Sequence, residues 1–97
     1  MGSGLKILRA HRAEVLACLA RHRAARPRVF GSVLREDERA DSDVDLLVAL
    51  PRDMSSFEVA QLGIELEALL GRRVDLVVED ELHPRLRERI LAEARPL

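Results

Sequence analysis

The seven-residue run Val44 to Leu50 is apolar but for Asp45, opens on a β-branched residue and is stopped by Pro51. Such a run reads as a β-strand. It is preceded and entered by carboxylates, as Asp43-Val44-Asp45. Residues two apart on a strand point to one face, so Asp43 and Asp45 project together while Val44, Leu46 and Val48 turn to a core. A second β-prone run, Val74-Asp75-Leu76-Val77-Val78, carries one more acid in the same relation to its apolar neighbours. If these strands are neighbours, three carboxylates converge. Two unit charges about 4 Å apart repel by about 4 kcal/mol at an effective dielectric near 20. That is a large part of the roughly 5–15 kcal/mol by which a domain is stable. The acids are therefore either splayed into water or gathered around cations. An all-oxygen ligand set suits Mg²⁺, Mn²⁺ or Ca²⁺ rather than zinc. Two such ions about 3.5–4 Å apart can clamp the attacking and leaving oxygens of a displacement at phosphorus.

The rest of the chain supplies the layers around these strands. Leu5, Leu8, Val15 and Leu19 recur at helical spacing and predict a helix from Leu5 to about Ala25, ended by Pro27. Arg28-Val29-Phe30 is a short β-prone piece. Val33-Leu34-Arg35 suits a brief helix, and Glu36 to Asp41 a charged turn. Ser55 and Glu58 form a capping-box pattern before Val59, Leu62, Leu66 and Leu69, with Gly71 placed to end that helix. Pro84 suits the first turn of a last helix, with Leu86, Ile90 and Ala94 on one side. Helix, strand, strand, helix, strand, helix predicts an α/β (α+β) fold with a small mixed sheet flanked by helices. Ninety-seven residues make one domain, 1–97.

Gly31-Ser32 complements the acids. Glycine lets an anion approach the backbone closely. Serine offers a hydroxyl and an amide, and a helix starting there aims its positive end at a phosphate. One edge thus binds anions and the other cations, as a metal–nucleoside triphosphate requires. An EF-hand reading of Asp41, Asp43 and Asp45 fails, because Leu46 stands where that loop needs glycine and Arg52 where it needs glutamate.

Composition removes other classes. Net charge is −1 and the only aromatics are Phe30 and Phe57, so no direct nucleic-acid binding is expected. No run reaches the roughly 18 apolar residues of a membrane span, and the start is unlike a signal peptide. Cys18 is the single cysteine. It reads as a small core residue and fits a reducing, cytoplasmic compartment. His11, His22 and His83 have no partners at zinc-ligand spacing and read as surface or helix-end residues. Arg85, Arg87 and Arg89 form a basic cluster on the last helix, a solvated face or a contact for an acidic partner.

Gly31-Ser32, then ten residues, then Asp43-Val44-Asp45 resembles the signature of the nucleotidyltransferase superfamily that includes DNA polymerase beta. Asp75 in "RRVDLVV" matches its third acidic position. At average residue usage that spacing arises by chance in roughly one chain of this length in a thousand. The short chain is similar to the minimal nucleotidyltransferases that act as antitoxins beside HEPN-domain toxins, and "LGRRVDLVVEDELHPRLRERILAEA" is similar to their tail. The resemblance implies the nucleotidyltransferase fold and a Mg²⁺-dependent transfer of AMP from ATP to a tyrosine hydroxyl of the toxin.

Carried over by position, Asp43 and Asp45 hold two Mg²⁺ ions. By the same resemblance Asp75 would complete the catalytic-metal site and help deprotonate or orient the attacking hydroxyl. Gly31 and Ser32 hold the β and γ phosphates, and Arg35 lies close to them. Where members often have Ala-Arg-Gly, this chain has Leu34-Arg35-Glu36. A HEPN-type toxin is the expected partner, and a homodimer is also allowed. Two other readings stay open: transfer to a small molecule such as an aminoglycoside, and an inactive antitoxin that silences its partner by binding alone.

Overall fold

The computed structural model describes residues 3–31 and 43–97. The chain runs α1 (Ser3–Ala10), α2 (Arg12–Arg21), β1 (Ala25–Phe30), β2 (Val44–Ala49), α3 (Ser56–Leu70), β3 (Val74–Val78), a 3-10 turn (Glu79–Glu81), α4 (Pro84–Glu93) and β4 (Arg95–Pro96). The sheet is mixed, in the order β3-β2-β1-β4. β1 is antiparallel to both β2 and β4, whereas β2 and β3 run parallel. A parallel pair needs a crossover, and α3 is that crossover.

The two faces of β2 are both covered, as alternation of its side chains requires. Val44, Leu46 and Val48 pack with Leu8, Val15, Cys18, Leu19, Leu62, Leu66 and Leu70, from α1, α2 and α3. On the opposite face Leu47 and Phe30 pack with Ala94 and, less deeply, Val77, Leu82, Ile90 and Leu91, so α4 covers that side. The expected α+β sandwich of helices and mixed sheet is what the chain forms.

The caps follow the sequence where the side chains carry the signal. Ser55 accepts a 3.1 Å hydrogen bond from the Glu58 amide at the start of α3. Gly71 ends α3 at φ 66°, with its amide on the Glu67 carbonyl at 2.8 Å. Pro84 stands in the first turn of α4, and His83 caps it by accepting from the Arg85 amide at 3.2 Å.

The first helix is the main departure. It is two segments meeting at His11, and it ends at Arg21 rather than running to Ala25. Arg23 adopts φ 59°, its amide bonds the Ala20 carbonyl, and the Ala24 amide reaches back to Leu19. That is the Schellman arrangement, built here on an arginine instead of the usual glycine. Pro27 does not stop the helix. It lies inside β1, where the register with β2 slips between Ala25 and Arg28. A bulge is where an interior strand can take a residue with no N–H to give. The Pro27 carbonyl accepts from the Leu97 amide at 3.1 Å, beside the short strand β4. The brief helix expected at Val33-Leu34-Arg35 and the turn from Glu36 to Asp41 lie outside the described residues.

Glu79 closes the far end of the α4-covered face. It is buried, at 8% relative exposure, and meets Arg26 Nη2 at 2.7 Å and Arg28 Nη1 at 3.1 Å. The Arg26 hydrogen bond, helped by Arg28, holds its carboxyl below the ordinary value of 4.5 in spite of burial. A carboxyl depressed in the folded state adds stability above its unfolded value and loses it as the pH falls through the folded value. Urea unfolding midpoints are therefore expected to fall as the pH drops below 4.5. Glu79→Gln flattens that acid limb, and at neutral pH it costs about 1–3 kcal/mol by leaving the guanidinium groups under-satisfied.

Candidate active site

β2 and β3 are in register residue for residue, and Asp45 stands directly beside Asp75. Neighbouring strands lie about 4.8 Å apart, so the two carboxylates leave adjacent backbones on the same face. This is the adjacency that the sequence left conditional. Asp43 lies one residue ahead of β2. The Val44 amide bonds the Arg73 carbonyl at 2.8 Å, so the ladder already holds the chain at that point. Asp43 and Asp75 are exposed and Asp45 is half-buried. Asp45 and Asp75 thus stand side by side at the N-terminal heads of two parallel strands, with Asp43 one residue ahead of the first and the apolar row of Leu47, Val77 and Phe30 behind.

Gly31 completes the corner from the other side. Phe30 pairs with Asp45 across the antiparallel β1–β2 ladder, and Gly31 follows at φ 78°. A Cβ built on Gly31 would overlap the Asp45 carboxylate. Two demands therefore meet at this residue: a left-handed backbone and a close approach by a side chain. Only glycine satisfies both. Ser32 and Arg35, the other residues expected at the nucleotide, lie outside the described residues.

Sequence reasoning missed the groups that set this corner. The Glu67 side chain of α3 accepts from the Val74 amide at 2.9 Å, and its carbonyl accepts from Gly71. One residue thereby fixes the turn that delivers Asp75. The signal was a glutamate in the last turn of a helix, which ordinarily disfavours an acid there. The donor set fits a hard divalent cation: carboxylate oxygens side by side, reachable from solvent, against a turn with no side chain of its own.

A helix-flanked mixed sheet with acids in register at the heads of two parallel strands, beside a glycine turn, has the form of a nucleotidyl-transferring domain. The family described as nucleotidyltransferase domain matches residues 14–97, and the chain belongs to it. The Methanocaldococcus jannaschii protein MJ0435, provisionally named a protein adenylyltransferase, is 36% identical over 81 residues, which cover 84% of this chain and 87% of that one. A solved structure provisionally described as a minimal nucleotidyltransferase superimposes with TM-score 0.86 at 55% identity, over 96% of this chain and 95% of that one. The fold is also that of a structure described as a tri-AMPylated Shewanella oneidensis HEPN toxin in complex with MNT antitoxin, with TM-score 0.70, 17% identity, and coverage of 91% of this chain and 69% of that one.

Two glycine variants separate backbone strain from site geometry. Gly31→Ala and Gly71→Ala both force a left-handed alanine and each is expected to lose about 1–2 kcal/mol in denaturant titrations. A Cβ on Gly71 meets nothing within 4 Å. Only Gly31→Ala displaces Asp45, so it alone lowers nucleotidyl transfer, by about 100-fold or more.

Proposed function

We propose that this chain transfers AMP from ATP to a hydroxyl of a HEPN-type toxin, expected to be a tyrosine, and so acts as the toxin's antitoxin. The observation that carries the reading is the in-register pair Asp45 and Asp75 beside the left-handed Gly31 turn. It is supported by the provisional name of the archaeal relative and by the shared fold with an antitoxin in complex with an AMPylated toxin.

In this reading Asp43, Asp45 and Asp75 hold two Mg²⁺ ions. The bound metal supplies neutralisation of the charge on the triphosphate and at the reacting phosphorus. The chain's own part is placement. Asp75 sits at the exposed side of the pair, where it can accept a hydrogen bond from the attacking hydroxyl and orient it. Asp45 is seated against Gly31 and keeps one geometry. Gly31 and Ser32 receive the β and γ phosphates through backbone amides and a hydroxyl, and Arg35 approaches them as a counter-charge. The hydroxyl oxygen bonds the α-phosphorus as the α–β phosphoanhydride bond breaks, pyrophosphate leaves and the hydroxyl proton passes to solvent. Holding hydroxyl and phosphorus in line converts a bimolecular encounter into an oriented one. Preorganised charge at the phosphorus supplies the remaining stabilisation. The setting is the cytoplasm, where ATP and Mg²⁺ are abundant. No helix among the described residues is long and apolar enough to cross a membrane.

Incubating the chain with ATP, Mg²⁺ and the partner toxin, then weighing the toxin by intact-mass spectrometry, tests this directly. One or more adenylate adducts on a tyrosine are expected. Chelation by EDTA removes them, and Asp45→Asn or Asp75→Asn reduces their rate by about 100-fold or more with circular dichroism unchanged. An unmodified toxin that is nonetheless neutralised by the triple Asp→Asn variant would establish binding without catalysis.

A further inference from the structure

Away from the acidic corner, the seam between α2 and α3 gathers a different donor set. Cys18 and His22 are four residues apart on and just past α2, so they share a face. Glu65 of α3 comes between them. The buried Cys18 thiol donates to its Oε1 at 3.6 Å, and His22 Nε2 lies 3.0 Å from its Oε2. One potential ligand atom from each residue lies within 4.8 Å of the others. This brings His22 into a ligand-bearing cluster that counting histidine spacings does not reveal.

We propose that Cys18, His22 and Glu65 form a tetrahedral site for Zn²⁺, with water in the fourth position, that staples α2 to α3. Around zinc with bonds of about 2.0–2.3 Å, neighbouring ligand atoms stand roughly 3.2–3.6 Å apart, close to the 3.6 and 3.0 Å at which Cys18 and His22 meet the Glu65 oxygens. Sulfur, imidazole and carboxylate together select zinc over magnesium, the reverse of the preference of the oxygen-only corner. The two Glu65 oxygens face different partners, so the carboxylate either grips with both or turns to bring one to the metal.

A second observation concerns the other ring nitrogen. His22 Nδ1 is buried without a hydrogen bond, and Glu58 Oε2 lies 3.5 Å away. Metal at Nε2 leaves the proton on Nδ1, where the Glu58 carboxylate stands ready to receive it, the carboxylate–histidine–metal relation common at zinc sites. Charge also closes. Binding releases the Cys18 proton to solvent, and thiolate plus carboxylate then balance the two positive charges. Before that release, burial and the Glu65 carboxylate push the Cys18 thiol up, so the metal-free form keeps its proton. Arg21 Nη2, now 3.2 Å from Glu65 Oε1, is on a side chain 62% exposed and can withdraw to water as the metal takes its place. A groove of about 470 Å³ lined in part by Ala17, Arg21, Glu65 and Leu69 opens onto the Glu65 side of the cluster.

The test is a Co²⁺ titration of the full chain, purified metal-free and reduced, followed by absorption spectroscopy. One equivalent is expected to produce a thiolate-to-cobalt charge-transfer band and tetrahedral d–d bands, both bleached by Zn²⁺. Cys18→Ser and His22→Gln abolish them, whereas Asp75→Asn leaves them intact, because the acidic corner offers no sulfur. Glu58→Gln weakens Zn²⁺ binding by about 10–100-fold. Zn²⁺ raises the thermal midpoint of the wild type but not of Cys18→Ser. Absence of the charge-transfer band, its survival in Cys18→Ser, or a Zn²⁺ stabilisation equal in both proteins would overturn the proposal. The cluster would then be a hydrogen-bonded knot in which His22 bridges two carboxylates without metal.

Discussion

The parallel, in-register pairing of β2 with β3 is the constraint on which the rest of the molecule depends. It sets two like charges, Asp45 and Asp75, side by side at one end of a ladder. Nothing in that contact favours folding. What holds it is the length of strand behind it. Leu46, Leu47 and Val48 are fully buried, on alternate faces of β2. Burying one such side chain is worth about 1.5–3 kcal/mol, so these three together exceed the repulsion of a single carboxylate pair in a partly wet site. Slipping the register by one residue would separate the acids, but it would also turn every apolar side chain to the wrong face.

Each helix serves this pairing. α3 carries the chain from the end of β2 to the start of β3, and Glu67 fixes the delivery by bonding the first amide of β3. α4 covers the face that bears the acids but leaves Asp43 and Asp75 exposed. The Glu79 ion pairs anchor the opposite end of that face, so its two ends differ in kind. One is neutralised by arginines within the fold, and the other carries Asp45 and Asp75 side by side. In the reading proposed above, that acid-bearing end is where ATP arrives with its metal.

The sequence carried the architecture where side-chain chemistry carries the signal. Alternation identified both acid-bearing strands, Ser55 and Gly71 marked the ends of α3, and Pro84 the start of α4. It could not show that the strands are adjacent and parallel, since that is settled by packing of α3 across the sheet. It also misjudged the end of α2. The left-handed cap falls on Arg23, a residue with no propensity for it, while Pro27, which normally breaks helices, sits at a strand bulge. β4 is two residues long and includes a proline, too little pattern to see. Gly31 was read as a phosphate contact alone, and its second duty, making room for Asp45, exists only in three dimensions. Cys18 and His22 did share a helical face in the sequence, but Glu65 comes from 43 residues away from His22.

A crystal structure of the chain with Mg²⁺ and a non-hydrolysable ATP analogue tests the central claim most directly. The account predicts metal density between the Asp45 and Asp75 carboxylates, with the triphosphate lying against the Gly31 turn. Nucleotide bound elsewhere, or an Asp75 carboxylate that takes no part in holding the metal, would contradict it.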